Sequence, residues 1–217
     1  MTKEIWSVDT AVPLQVVLDD PECPQLLRQT LTGALSWQAR NEMTVARALR
    51  SPRLAPQWVA ALMALGATVT VDDEEAPLEK LLQRETAGEP MSLRVGVGGV
   101  KWGEAHVSRT PADLPIVAAV AGVEMEHPVE RRGDVVRQAR VALTGVWPEP
   151  VRLCQAAAQL VGGPLDESRI QAVTQAVEAE VAPVGDFLGS EEYRRAMASV
   201  LTGRALEACL YQEADNE

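Results

Sequence analysis

Two histidines, three cysteines, one glycine-rich stretch and one arginine cluster are the residues of this 217-residue chain whose types and spacing could do chemistry. A histidine can move protons or bind a metal near neutral pH. Neither His106 nor His127 has a partner at catalytic or metal-ligand spacing, so both read as loop histidines and no metal is expected. Cys23, Cys154 and Cys209 are odd in number and form no CxxC, so they read as buried neutral thiols. The stretch VGVGGVKWG, Val95 to Gly103, has the glycines of a phosphate loop. It lacks the GxGxxG spacing that opens a helix and the Lys-Ser/Thr ending of a P-loop. It reads as a strand and a bend with close backbone packing. Arg40, Arg47, Arg50 and Arg53 cluster with only Glu42 among them. The first reading is a solvated surface; the second is contact with an anion or a partner, because the guanidinium fork suits carboxylates and phosphates. No complete catalytic constellation emerges.

Charge narrows the partners. Lys and Arg number 20 against 31 Asp and Glu, a net charge of −11. Nucleic acid and anionic membrane are expected to be excluded, since phosphate contacts need clustered positive charge. The first residues, MTKEIWSVDT, have no basic segment followed by an apolar one, so no signal peptide is expected. The longest apolar run, Leu114 to Val123, is broken by Pro115 and Gly122 and falls short of a membrane span. Cytoplasm is the expected location.

The elements that must position these residues follow from periodicity. Glu4 to Leu18 suggests a short strand, and Leu26 to Leu35 has apolar residues at helical spacing. Pro56 opens a helix that Gly66 closes, and ATVTV follows as a strand. Asp72 to Glu75 predicts an acidic turn, Pro77 to Leu82 a short helix, and Ser92 to Val100 a strand. Thr110 to Ala121 reads as a helix, while Val123 to Met125 and Val135 to Val146 read as a hairpin. Val151 to Leu160, Asp166 to Val181 and Ser190 to Tyr211 read as helices, the last two with Asp166 and Ser190 as N-caps. The fold class is α+β. Two subdomains are expected, residues 1–130 with a small mixed sheet and 131–217 with a short antiparallel sheet under helices. Leu62, Leu65, Val141, Leu143, Leu160, Ile170, Val173, Tyr193, Val200 and Leu201 are expected in cores.

Several spaced motifs carry a family resemblance. ARVALTGVWPEPVR, then LVGGPLDES, then APVGDFLGSEEYRRAMASVLTGRALEACL resemble the C-terminal domain of the FAD-binding medium subunit of molybdenum hydroxylases, the carbon monoxide and xanthine dehydrogenase type. Arg140, Gly145, Pro150, Arg152, Gly162, Asp186, Ser190, Tyr193, Arg194, Arg204 and Leu206 stand at the matching places. Upstream, ALMALGATVTV and SRTPADLPIVAAVAGVE are similar to further family segments. The resemblance implies the second lobe of a PCMH-type FAD-binding domain, truncated at its N-terminus, followed by that C-terminal domain.

The departures from the family bear on the cofactor. MTVARAL falls on the family's flavin-binding loop, so Thr44, Val45, Ala46, Arg47 and Ala48 are its degenerate counterparts. Ala46 and Arg47 replace paired glycines, Ala48 replaces an asparagine, and Gln57 replaces an aspartate. About twenty residues precede the resemblance, so the lobe that carries the family's second glycine-rich loop is expected to be missing. The expectation is therefore a chain without FAD that is non-catalytic and works as a structural or interaction subunit. The alternative is an FAD-binding electron-transfer subunit of an oxidoreductase complex. The resemblance implies molybdopterin and iron–sulfur subunits, or a second copy, as partners. Trp6, Trp37 and Trp58 are the candidates for the contact face.

Overall fold

The computed structural model describes residues 5–85, 88–110, 113–126 and 134–212. His127 lies outside them.

Helix α5 (Pro56–Ala64) organises the molecule, because every one of its nine residues is buried. Proline stands in its first turn, where the missing N–H costs nothing. Gly66 ends it at φ +70, with Gly66 N–H donating to Met63 O at 3.0 Å and Ala67 N–H to Leu62 O at 2.9 Å. That paired closure is a Schellman turn, and it needs the left-handed conformation that glycine adopts without strain. A helix apolar all round has to be covered on all sides. On one side lie α2 (Gln25–Ala34) and the core of the first half. On the other lies the second sheet.

The first sheet has the order β1–β4–β2–β3 and is antiparallel throughout: β1 (Ile5–Asp9), β2 (Thr68–Val71), β3 (Glu74–Pro77) and β4 (Pro90–Gly96). The mixed sheet expected from the sequence is thus corrected, since every neighbour pair runs in opposite directions. Asp72 and Asp73 both take positive φ, 50° and 66°, in the tight β2–β3 turn. Such two-residue turns match the strand twist, and aspartate tolerates them. Short helices α1 (Leu14–Asp19), α3 (Trp37–Glu42), α4 (Val45–Arg50) and α6 (Leu78–Leu82) complete this half.

The second sheet runs β5 (Val100–Val107), β6 (Val117–Glu126), β7 (Val135–Thr144), β8 (Val151–Leu153), in chain order and antiparallel. Position 130, the expected subdomain boundary, falls between β6 and β7, which pair with each other. The helix expected over Thr110 to Ala121 is overturned: its second half is β6. The first eight residues of β6 are all buried, because α5 covers one face and α8 (Glu191–Tyr211) the other. A strand covered on both faces loses the polar alternation that identifies strands. The helix expected over Val151 to Leu160 is likewise replaced by β8 and a 3₁₀ turn, Gln155–Leu160.

Two glycines set the layer spacing. A Cβ on Gly122 would lie 2.3 Å from Ala64 O of α5, and one on Gly103 would lie 2.0 Å from Ala205 O of α8. Helix α7 (Glu167–Glu180) packs on α8, and Asp166 and Ser190 cap the two as expected. Eight of the ten expected core residues are buried. Tyr193 and Val200 are corrected to exposed, at 38% and 42%, since α8 turns only its other face to the sheet.

Candidate functional site

The segment expected to correspond to the family's flavin loop is helical here. Thr44 is the N-cap of α4, and its hydroxyl accepts from Arg47 N–H at 3.2 Å. Helix starts leave backbone N–H groups without intrahelical partners, which is what makes them anion sites. At α4 those groups are used internally. Val45 N–H donates to Val12 O at 3.0 Å, Ala46 N–H to Thr10 O at 2.8 Å, and Ala48 N–H to Thr44 O at 3.0 Å. Thr10 O and Val12 O come from the connection between β1 and α1, which lies across the helix start, and Thr44 O from the N-cap itself. Val45 and Ala48 are buried, Ala46 is half-buried, and the Arg47 side chain is exposed.

Gln57, the remaining sequence-predicted position, sits in the first turn of α5 and is only 3% exposed. Its amide Nε2 donates to Glu104 Oε1 and lies 3.2 Å from His106 Nδ1. His106 Nδ1 is 2.7 Å from the same carboxylate oxygen. Glu104 and His106 both come from β5, two residues apart and therefore on one face. The result is a compact trio of amide, carboxylate and imidazole at the β5 edge. Its three side chains hydrogen-bond one another through Glu104 Oε1 and His106 Nδ1. Sequence reading treated His106 as isolated and missed Glu104. The i, i+2 spacing was the available signal once residues 100–107 are known to be a strand.

The arginine cluster is split, with Arg50 and Arg53 lining one cleft and Arg40 and Arg47 outside it. Arg40 donates to Gln15 and to Leu35 O, Arg50 pairs with Glu89 at 2.9 Å, and Arg53 donates to Pro148 O at 3.0 Å. Of the three indoles proposed for a contact face, Trp6 and Trp58 are buried at 4% and 1%, and only Trp37 is exposed, at 69%.

The residues that carry the family resemblance build the scaffold. Arg194, 5% exposed, donates to Ile116 O at 2.8 Å, Gly145 O at 2.9 Å and Asp186 Oδ1 at 2.7 Å. It ties α8 to the β5–β6 connection and to the end of β7. Its guanidinium, together with backbone N–H groups of Leu188 and Gly189, holds the Asp186 carboxyl below the usual range. Arg140 lies against the C-terminal end of α5 and pairs with Glu124 at 3.4 Å. Glu180 is raised by partial burial. It is nonetheless held below its ordinary value, by the Cys154 thiol at 3.0 Å and the N–H groups of Gln155 and Ala156 at 2.9 Å. Among the described residues no group of three His, Cys, Asp or Glu side chains could hold a metal, and no helix is long and apolar enough to cross a membrane.

Residues 105–209 match the family described as the CO dehydrogenase flavoprotein C-terminal domain. The carbon monoxide dehydrogenase medium chain of Hydrogenophaga pseudoflava is 30% identical over 110 residues, 51% of this chain and 36% of that one. The glyceraldehyde dehydrogenase medium chain of Sulfolobus acidocaldarius is 25% identical over 79 residues, 36% of this chain and 28% of that one. The match thus spans about a third of these relatives' own length. Quinoline 2-oxidoreductase from Pseudomonas putida superposes with a TM-score of 0.78 at 21% identity, covering 97% of this chain and 76% of that one. The carbon monoxide dehydrogenase structure from Hydrogenophaga pseudoflava gives 0.77 at 21%, covering 95% and 75%. At that identity the likeness is one of fold.

Proposed function

We propose that this chain, whose residues 105–209 match the CO dehydrogenase flavoprotein C-terminal domain and which is similar to a carbon monoxide dehydrogenase medium chain, works without catalytic chemistry of its own, as a structural or interaction subunit of a molybdenum hydroxylase-type assembly. One observation carries this reading: the N–H groups at the start of α4 are spent on Thr10, Val12 and Thr44. A dinucleotide's diphosphate placed there would have to displace those bonds, and the exposed Arg47 side chain stands where the resemblance implies glycine. The α4 residues therefore do not fit a flavin phosphate. The expected partners are molybdopterin and iron–sulfur subunits, or a second copy. Helix α3 buries none of its own side chains and carries exposed Trp37, which supports a contact on that face. Cytoplasmic location belongs to the same proposal, and three unpaired, buried cysteines support it.

The second reading, an FAD-binding electron-transfer subunit, is favoured by the Gln57–Glu104–His106 trio, which could hydrogen-bond a flavin ring. One experiment separates them. The purified chain is denatured and assayed for released flavin, and the native chain is titrated with FAD by calorimetry. Absence of flavin and of saturable heat supports the first reading. Stoichiometric flavin, or micromolar binding that Gln57→Ala weakens, overturns it in favour of the second.

A further inference from the structure

A cleft of about 1100 Å³ opens between the two halves at the β8 edge of the second sheet. It is at the opposite edge from the Gln57–Glu104–His106 trio, which stands on β5. The floor is apolar, with Leu49, Met63, Leu81 and Val151 all buried. The border is basic: Arg50, Arg53, Arg84 and Arg152 against Glu79 and Glu149. Elsewhere the chain is strongly acidic, with a net charge of −11. A concave, part-apolar surface with the opposite sign concentrates anions, because its walls focus the field.

The cations are placed without being used up. Arg53 spends one N–H on Pro148 O, and Arg152 stacks 5.1 Å over Trp147. Arg50 is the most engaged, with bonds to Glu89 and Gly88 O. The Arg84 side chain makes no hydrogen bond or ion pair among the described residues; its backbone N–H donates to Leu81 O. A guanidinium has five N–H donors in a fork that suits a phosphate or carboxylate. Arg53 and Arg84 therefore keep donors for an external anion. The volume is that of a site for a nucleotide-sized molecule.

We propose that this cleft binds a small organic anion, its phosphate or carboxylate held by Arg53 and Arg84 and its flat or apolar body laid on the Leu49–Met63–Val151 floor. The proposal does not depend on whether the chain holds flavin. Calorimetric titration of the full chain with AMP, 2-naphthoate and inorganic phosphate tests it. The expected result is saturable binding of at least one organic probe with Kd below about 1 mM, and inorganic phosphate about tenfold weaker. The Arg53→Ala/Arg84→Ala variant, with unchanged circular dichroism and melting temperature, is expected to lose about tenfold or more in affinity. Binding of AMP alone assigns a phosphate head, and of 2-naphthoate alone a carboxylate. The proposal is overturned if neither organic probe binds below that limit, if inorganic phosphate binds as tightly as they do, or if the double variant binds like the parent.

Discussion

Replacing Arg194 by alanine removes the hydrogen bonds that tie the start of α8 to Ile116, Gly145 and Asp186. Three of its acceptors differ in what they lose. Asp186 has a side chain 45% exposed, so water can replace the guanidinium there. Ile116 O and Gly145 O receive the same Nη1 atom, at 2.8 and 2.9 Å. Each buried acceptor left without a partner costs about 1–3 kcal/mol. With Asp186 discounted as solvent-compensated, the two carbonyls set a loss of about 4 kcal/mol. For a chain of this size each kcal/mol lowers Tm by roughly 2–4 °C, so the melting point should fall by roughly 8–16 °C. Guanidinium unfolding followed by circular dichroism measures the loss directly, provided the slope m is unchanged. Arg195→Ala is the control, since Arg195 bonds Glu178 O and Val181 O at the more open end of α7. A loss below about 1 kcal/mol for Arg194→Ala would refute the reasoning, because it would mean that water reaches the two carbonyls.

Gly103→Ala puts a Cβ 2.0 Å from Ala205 O, so β5 and α8 must separate; a loss of about 1–3 kcal/mol in chemical unfolding is expected, and none would show the layers to be loosely packed. Glu180 has a folded-state pKa below its unfolded value, so it stabilises the fold above the unfolded pKa and stops doing so as pH falls through the folded one. The deficit of Glu180→Gln relative to the parent is thus expected to be largest near neutral pH and to shrink on acidification; a deficit that grows in acid would contradict the sign. Burial pushes the Cys23, Cys154 and Cys209 thiols up to about 12. No thiol should react with a disulfide reagent within minutes at neutral pH until denaturant is added, and one fast thiol in the native protein would show that a cysteine opens to solvent.

Where a local signal and the tertiary environment agreed, the sequence was readable. Asp166, Ser190, Pro56 and Gly66 mark helix ends by chemistry that acts within a few residues, and all four do so in the structure. The β6 strand was unreadable for the opposite reason. Its apolar run reflects covers supplied by α5 and α8, which lie far away in sequence, and a run without alternation cannot be told from a buried helix. The same error hid the candidate site. With Val95 to Gly103 read as a strand and a bend and His106 as a loop histidine, Glu104 and His106 could not be placed on one face, and Gln57 comes to them only through the packing of α5 on the second sheet. The family motifs were legible because scaffold residues such as Arg194 and Gly145 are constrained by contacts that any chain of this fold must make.

Helix α5 has a cost in time. Its sheet-facing side needs β6 and β7, and the ribosome releases those strands long after the helix. At ~5–20 residues per second, the roughly 80 positions between Ala64 and Thr144 take on the order of 4 to 16 seconds to synthesise. Through that interval a helix that is apolar but for Gln57 has a partner on one side alone. The nascent chain is therefore most exposed to aggregation before its second half exists, and a ribosome stalled near residue 100 would hold it in that state.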